Sequence, residues 1–233
     1  MNIAVIIPAF NEEQAIPLVL EELQRDIARL PWISSAQIVV ADNGSTDRTA
    51  ALARAGGAKV VTASRRGYGS ACQAGLAAVT SADTVVFVDA DHSVDLADLE
   101  VLLAPLADGR ADLVLGARTQ VEDGALTVPQ RFGNRLACLL MRWIYRHRYA
   151  DLGPFRAIRW KALQSLQMQD PAFGWTIEMQ IKALRRGLQV VEVPVRCRKR
   201  IGQSKISGTF MGSIKAGEAI LRTIAKYSYG SRS

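Results

Sequence analysis

The first half of the chain alternates short β-branched runs with longer stretches whose apolar residues recur at helical spacing. Residues 2–7 are an apolar run ended by Pro8, which predicts a strand. Residues 12–30 then place Ile16, Leu20, Leu23, Ile27 and Leu30 near a helical period. The same reading predicts strands over 37–41, 58–62, 84–88 and 112–116, and helices over 45–55, 68–80 and 96–107. This β-α-β-α order predicts an α/β fold, with a mostly parallel central sheet and helices on both faces.

The second half is less regular. It predicts helices over 132–147, 175–186 and 213–226, strands over 153–158 and 188–195, and a basic Gly/Ser loop over 196–208. There is no internal repeat, low-complexity tract or linker, so residues 1–233 are expected to form a single domain. In the helix over 132–147, an angle of 100° per residue gathers Arg131, Arg135, Arg142 and Arg146 on one face. Leu136, Leu139, Leu140, Trp143 and Ile144 fall on another. A basic face beside an apolar, Trp-bearing face suits a helix lying in a membrane interface. A core helix with a solvated Arg stripe fits the same pattern, and both readings stay open. The last helix adds Ile214, Leu221 and Ile224 beside Lys215, Arg222 and Lys226. It is too short and too charged to span a bilayer.

Charge changes the picture more than composition does. The 49% apolar and 22% charged residues are ordinary for a globular protein. The net charge of +7 is unevenly placed. Residues 1–116 hold 8 Lys/Arg against 15 Asp/Glu, whereas residues 117–233 hold 21 against 7. The second half is therefore expected to meet an anion. Cys72, Cys138 and Cys197 are far apart and show no metal-ligand spacing, which points to a reducing cytoplasm. The chain opens directly on the strand pattern, so no signal peptide is expected, and no run approaches the ~20 apolar residues of a membrane span.

Candidate chemistry collects after the predicted strands. Asp89-Ala90-Asp91 follows the run over 84–88, where ligands of open α/β sheets bind. Paired carboxylates there suit a hard divalent cation that takes substrate phosphates as further ligands, or they cap the next helix. Pro8-Ala9-Phe10-Asn11-Glu12-Glu13, Asp42 to Thr49, and Arg65-Arg66-Gly67-Tyr68-Gly69-Ser70 follow three other strands, and each opens a helix. Asp42 offers an acceptor to a base or ribose. Gly67 and Gly69 permit close backbone approach, and the helix N-terminus after them favours phosphate.

Pro8-Ala9-Phe10-Asn11-Glu12, the Asp42-to-Thr49 stretch and Val88-Asp89-Ala90-Asp91 resemble, in order and spacing, the family-two glycosyltransferases. These have the GT-A-type nucleotide-binding fold, and the resemblance covers nearly the whole chain. Arg118, Arg131 and the stretch from Arg200 to Gly208 are most similar to dolichyl-phosphate mannose synthases and related polyprenyl-phosphate sugar transferases. The resemblance implies that Pro8, Ala9, Asn11, Glu12, Asp42, Arg66, Gly67, Asp89 and Ala90 form the donor nucleotide site. It implies Asp89 and Asp91 as ligands of Mg²⁺ or Mn²⁺, with residues 1–116 as the nucleotide half and 117–233 as the acceptor half. Arg131, Arg200, Ser204 and Lys205 are the expected acceptor-phosphate residues, and Asp91, Arg118, Arg131 and Glu178 the expected catalytic ones. The sequence departs from the family at three places. Asn43 stands where many relatives have Asp. His92-Ser93-Val94 replaces Leu-Gln-His, so Ser93 takes the place of a metal-binding Gln. Leu152-Gly153-Pro154-Phe155-Arg156 replaces Ser-Gly-Phe-Arg.

The expected activity is metal-dependent, inverting transfer of a hexose from a sugar nucleotide, of GDP-mannose or UDP-glucose type, to a polyprenyl phosphate. A lipid phosphate is already an anion and needs positioning rather than a general base. An Arg-rich half with few evident bases suits it. Glu178 and Asp151 keep a hydroxyl acceptor open, as bases or sugar ligands. The expected partners are a sugar nucleotide, a polyprenyl phosphate and a membrane surface or membrane-anchored protein, on the cytoplasmic face, without nucleic acid. A non-catalytic basic adaptor is the reading from another class, and it leaves Asp89-Ala90-Asp91 without a purpose. A nucleotidyltransferase would need a Gly-rich, Arg-containing loop after the first strand, where Pro8 to Glu12 stand instead.

Overall fold

The computed structural model describes residues 1–202 and 210–229. Four strands, β1 (Asn2–Ala9), β2 (Ser35–Asp42), β3 (Lys59–Thr62) and β4 (Thr84–Phe87), pair in parallel, with β1 between β2 and β4. Helices α1 (Ile16–Ala28), α2 (Thr49–Ala55) and α3 (Tyr68–Ala77) connect them. After a 3₁₀ turn at Leu96–Asp98 come α4 (Leu99–Ala107), β5 (Leu113–Val121), α5 (Val128–Tyr145), β6 (Arg156–Arg159), α6 (Trp160–Leu166), α7 (Trp175–Arg185), β7 (Val190–Cys197) and α8 (Phe210–Tyr229). The described strands make one seven-stranded sheet in the order β3-β2-β1-β4-β6-β5-β7. Only β6 runs against its neighbours, so the carboxyl ends of the other six share one edge.

Helices cover both faces, as the alternation predicts. On one face Ile16, Leu20 and Leu23 of α1 and Leu102 and Leu106 of α4 pack on Val5, Ile7, Val86 and Val114. On the other, Cys72, Leu163, Trp175 and Ile181 pack on Ile6, Phe87, Leu113 and Ile158. Both faces of the strands are therefore buried, which is why they read as continuous apolar runs instead of alternating ones.

The differences from expectation lie at element ends. Pro8 belongs to β1 and does not end it; it pairs with Ala41 of β2. The Ile6 carbonyl accepts from Val88 N at 3.1 Å on the β4 side. Pro8, two residues on, faces that same side and has no N–H to give. The β1–β4 ladder ends there, and the chain after Val88 is released toward the sheet's edge. Helix α1 starts at Ile16, not at residue 12, with Pro17 in its first turn. Helix α5 begins four residues earlier than the periodicity implies, on a Thr127/Gln130 capping box. Helix α6 was not expected, because two turns are too short to display a period.

Candidate active site

The loops after β1 and β2 are bound mainly to each other. Asn11, in the left-handed region (φ 54°), accepts from Thr46 N at 2.8 Å through Oδ1, and its own N donates to Ser45 Oγ at 2.9 Å. Glu12 N donates to Thr49 Oγ1 at 2.7 Å and Glu13 N to Asp47 Oδ2 at 3.2 Å. Asp42 is buried and takes the Ser45 N–H. Neither Asn11 nor Asp42 lines the cleft described below. Both are expected nucleotide contacts, and their hydrogen bonds also shape the two loops that carry the cleft wall. Asn43 lines it instead.

The loop after β3 also departs from expectation. Gly67 has φ 139°, and a Cβ there would lie 2.1 Å from the Pro171 carbonyl oxygen; at Gly69 it would lie 1.9 Å from that of Asp170. Gly69 N and Ser70 N donate to the carbonyls of Ala172 and Pro171 at 3.2 and 2.9 Å. These glycines make room for the 170–172 backbone, and the first N–H groups of α3 are spent on it instead of standing open for phosphate. Asn43 pins the same loop, donating to the Gly67 carbonyl (2.6 Å) and accepting from Gly67 N (3.2 Å). An Asp at position 43 could accept but not donate, so the departure from the family pattern has a local reason. Arg66 lies over the Phe10 ring at 4.8 Å.

A cleft of about 560 Å³ opens at the carboxyl edge of the sheet. Pro8, Ala9, Glu12, Arg66, Gly67, Asp89, Ala90 and Asp91 line its floor and one wall. Burial, then the neighbouring Asp91, pushes the Asp89 carboxyl up to about 7. Tyr68, which sequence reading passed over, donates its hydroxyl to Asp89 Oδ1 at 3.2 Å. Asp91 accepts from Ser93 N at 3.0 Å, and its own carbonyl accepts from Ile201 N at 2.9 Å. His92 turns away to Glu22 and Arg198, at 3.2 and 3.3 Å. Two carboxylates that repel one another this way fit a divalent cation. Among the described residues there is no group of three or more His, Cys, Asp or Glu that would hold one unaided. A cation here would draw its remaining ligands from a diphosphate or from water.

Two guanidiniums face this floor. Arg200 lies between Glu12 (3.1 Å) and Asp91 (3.4 Å), and its buried Nε has no partner among the described residues. Arg118 is gripped by Asp151 through Nε at 2.6 Å and Nη2 at 2.7 Å, with its backbone N at 3.0 Å. Burial acts to raise the Asp151 carboxyl, but the hydrogen bonds and charge of Arg118 outweigh it and hold the group below the usual carboxylate range. Asp151 thus clamps Arg118, with both of its carboxylate oxygens engaged by that guanidinium.

Two expectations are corrected. Glu178 is wholly buried in α7, away from the cleft. Its oxygens accept from Tyr227 Oη (2.7 Å), Gln169 N (3.0 Å) and Asp170 N (2.7 Å), and Lys182 Nζ lies at 2.7 Å. Burial alone would raise its carboxyl, yet Lys182 and Tyr227 keep it below the usual range. It ties α7 and α8 to the loop under Gly69 and does not line the cleft. Arg131 is exposed on α5 and does not line the cleft, because the turn that reaches inward carries Gln130, Gly133 and Asn134. Ser204 and Lys205 lie outside the described residues. Beyond Arg118 the cleft continues between α5, α7 and α8 over Leu136, Ala137, Phe173, Ile177, Ile220 and Leu221. That apolar arm comes from three separate stretches of sequence.

A mostly parallel sheet carrying a paired-carboxylate cleft at its carboxyl edge has the architecture of a nucleotide-binding α/β enzyme of the GT-A type. The model for glycosyl transferase family 2 matches residues 4–166, and the chain belongs to that family. An uncharacterized glycosyltransferase of Mycobacterium tuberculosis is 39% identical over 219 residues, 92% of this chain and 94% of that one. A dolichyl-phosphate hexose transferase of Haloferax volcanii is 33% identical over 227 residues, 95% of this chain and 93% of that one. Among solved structures, glucosyl-3-phosphoglycerate synthase of M. tuberculosis, in complex with Mn²⁺, UDP and glucosyl-3-phosphoglycerate, superposes with a TM-score of 0.78 at 26% identity. It covers 100% of this chain and 81% of that one.

Proposed function

We propose that the protein is a metal-dependent, inverting glycosyltransferase that moves a hexose from a sugar nucleotide to a polyprenyl phosphate at a membrane surface. The observation that carries this reading is the make-up of the cleft. One end holds Asp89 and Asp91, the middle holds Arg118 and Arg200, and the far arm is apolar. The lining carboxylates are Glu12, Asp89 and Asp91, all at the donor end. The two acids that would serve a hydroxyl acceptor as base, Asp151 and Glu178, are ion-paired and held ionised. A phosphate needs no base, and an apolar arm suits its hydrocarbon chain.

In this reading Asp89 and Asp91 hold Mg²⁺ or Mn²⁺, which when bound supplies positive charge to the departing diphosphate. Pro8, Ala9, Glu12 and Arg66 border the nucleoside. Arg118, held in orientation by Asp151, presents a guanidinium to the acceptor phosphate. Arg200 exchanges its carboxylate partners for phosphate oxygens, and its Nε, without a partner among the described residues, is a donor for one. The anomeric carbon gains the acceptor oxygen from the face opposite the departing diphosphate. Kinship with the dolichyl-phosphate hexose transferase of H. volcanii supports the lipid acceptor.

A second reading rests on the structural similarity to glucosyl-3-phosphoglycerate synthase, solved with phosphoglyceric acid. A small phosphorylated hydroxyl acceptor would also meet Arg118, but it would leave the apolar arm empty. Thermal-shift screening of sugar nucleotides with Mn²⁺, then product analysis on a short-chain polyprenyl phosphate and on 3-phosphoglycerate, decides. Transfer to the polyprenyl phosphate is expected. Stabilisation by no sugar nucleotide, or transfer only to the hydroxyl acid, overturns the proposal.

A further inference from the structure

Helix α5 leaves two adjacent stripes in water. Val128, Phe132, Leu139 and Trp143 fall within about a quarter of its circumference and are 79%, 68%, 54% and 83% exposed. Arg131, Arg135, Arg142 and Arg146 run alongside, all exposed. The buried side of the helix is carried by Ala137 and Met141. The core-helix reading of the pattern therefore fails, because the largest apolar residues point outward. Such a patch on a soluble surface marks an interaction site.

We infer that this outward face of α5 docks the protein on an anionic lipid bilayer. Phe132, Leu139 and Trp143 enter the interface, and the Arg stripe meets lipid phosphates. Three observations select this occupant. Residues 128–149 contain five arginines and no Asp or Glu, so the face is complementary to anions along its whole length. Trp143, with an apolar ring and one N–H, is the side chain suited to a bilayer's headgroup level. The apolar stripe is also continuous with the cleft: Leu136 lies on its border, and Leu136 and the half-exposed Leu221 of α8 both line the cleft's apolar arm. A second copy of the chain suits the face less well. A two-fold contact sets a patch against itself, and the Arg stripe would oppose its own charge with no acid in the segment to neutralise it. The inference deepens the reading of a membrane-borne acceptor, but testing it needs neither donor nor acceptor.

Co-sedimentation of the full chain with vesicles tests it. Binding to phosphatidylcholine vesicles containing phosphatidylglycerol is expected, with at least about tenfold weaker binding to phosphatidylcholine alone and a marked loss in high salt. The double variant Phe132→Ser, Trp143→Ser is expected to lose about tenfold or more on anionic vesicles. Arg135→Gln with Arg142→Gln is expected to erase most of the preference for phosphatidylglycerol. All four positions are exposed, so melting temperatures should match the parent and exclude misfolding. Equal binding by variants and parent, or no binding to either vesicle, overturns the docking face. So does a concentration-dependent dimer that Trp143→Ser dissolves. Transfer to a short-chain acceptor in detergent without vesicle binding would sink the docking face alone. Vesicle binding without any transfer would uphold it and sink the proposed activity.

Discussion

Asp151 holds Arg118 with both carboxylate oxygens, at 2.6 and 2.7 Å, where the polar end of the cleft meets its apolar arm. The pair joins β5 to the segment before β6 across 33 residues of sequence. It turns an apparent base into the support of an apparent phosphate ligand. Asp151→Asn keeps the shape but loses the charge. Turnover is expected to fall about tenfold or more as Arg118 loses its orientation, while donor affinity stays near the parent value. Steady-state kinetics with separate KM values for donor and acceptor check this.

The same pair predicts an acid limit. The Asp151 carboxyl is lower in the folded protein than the unfolded value of about 3.9. Its contribution is complete above that value and is lost as pH falls through the folded one. Urea unfolding between pH 3 and pH 6, compared between parent and Asp151→Asn, should show a steeper acid loss in the parent. Parallel curves would mean that the pair contributes nothing to stability.

Asp89 has the opposite sign. A carboxyl pushed up to about 7 weakens the metal-free fold as pH climbs from about 4, and the full cost is reached above about 7. Asp89→Asn should therefore melt higher than the metal-free parent at pH 8, with an advantage that shrinks to roughly a third at pH 5 and vanishes near pH 3. Mn²⁺ should stabilise the parent increasingly toward pH 7, releasing up to about one proton per ion below it. Calorimetry in two buffers of different ionisation heat measures that release. Equal stabilisation of parent and Asp89→Asn by Mn²⁺ would exclude Asp89 as a ligand.

Glu178 is expected to affect stability and to leave the rate unchanged. Glu178→Gln breaks a buried ion pair with Lys182 and is expected to cost about 3 kcal/mol in urea unfolding. The folded fraction should keep the parent's pH–rate profile. A profile that loses an acid limb in the variant would restore Glu178 as a base.

Gly69→Ala places a Cβ 1.9 Å from the Asp170 carbonyl oxygen, and backbone leaves it no room. A loss of about 2 kcal/mol or more is expected, together with weaker sugar-nucleotide binding as the loop carrying Arg66 shifts. Chemical denaturation and a donor titration on the same preparation test both halves.

The order of strands and helices, the parallel sheet and the Asp89-Ala90-Asp91 position were legible because they are local. Apolar period, chain order and the site of strand ends are properties of neighbouring residues. Element ends were less so: Pro8 inside β1 depends on where β4 leaves the ladder, and α6 is too short to show a period.

What each polar side chain does was decided only by tertiary structure. Sequence identifies Asp42, Asn11, Asp151 and Glu178 as polar residues near strand ends or in aromatic-flanked segments, and as such each was a candidate for chemistry. Their partners, Ser45 N, Thr46 N, Arg118 and Lys182 with Tyr227, are what make them supports. The glycines of the third loop show the same division. Their need for closeness is written in the sequence, but whether backbone or ligand comes close is not. For α5, the helical wheel yielded two stripes and left their environment open. Only the packing of α5 through Ala137 and Met141 shows that the aromatic stripe is left in water along with the arginine one. Periodicity encodes that a helix has faces; which face is buried depends on the shape of what packs against it.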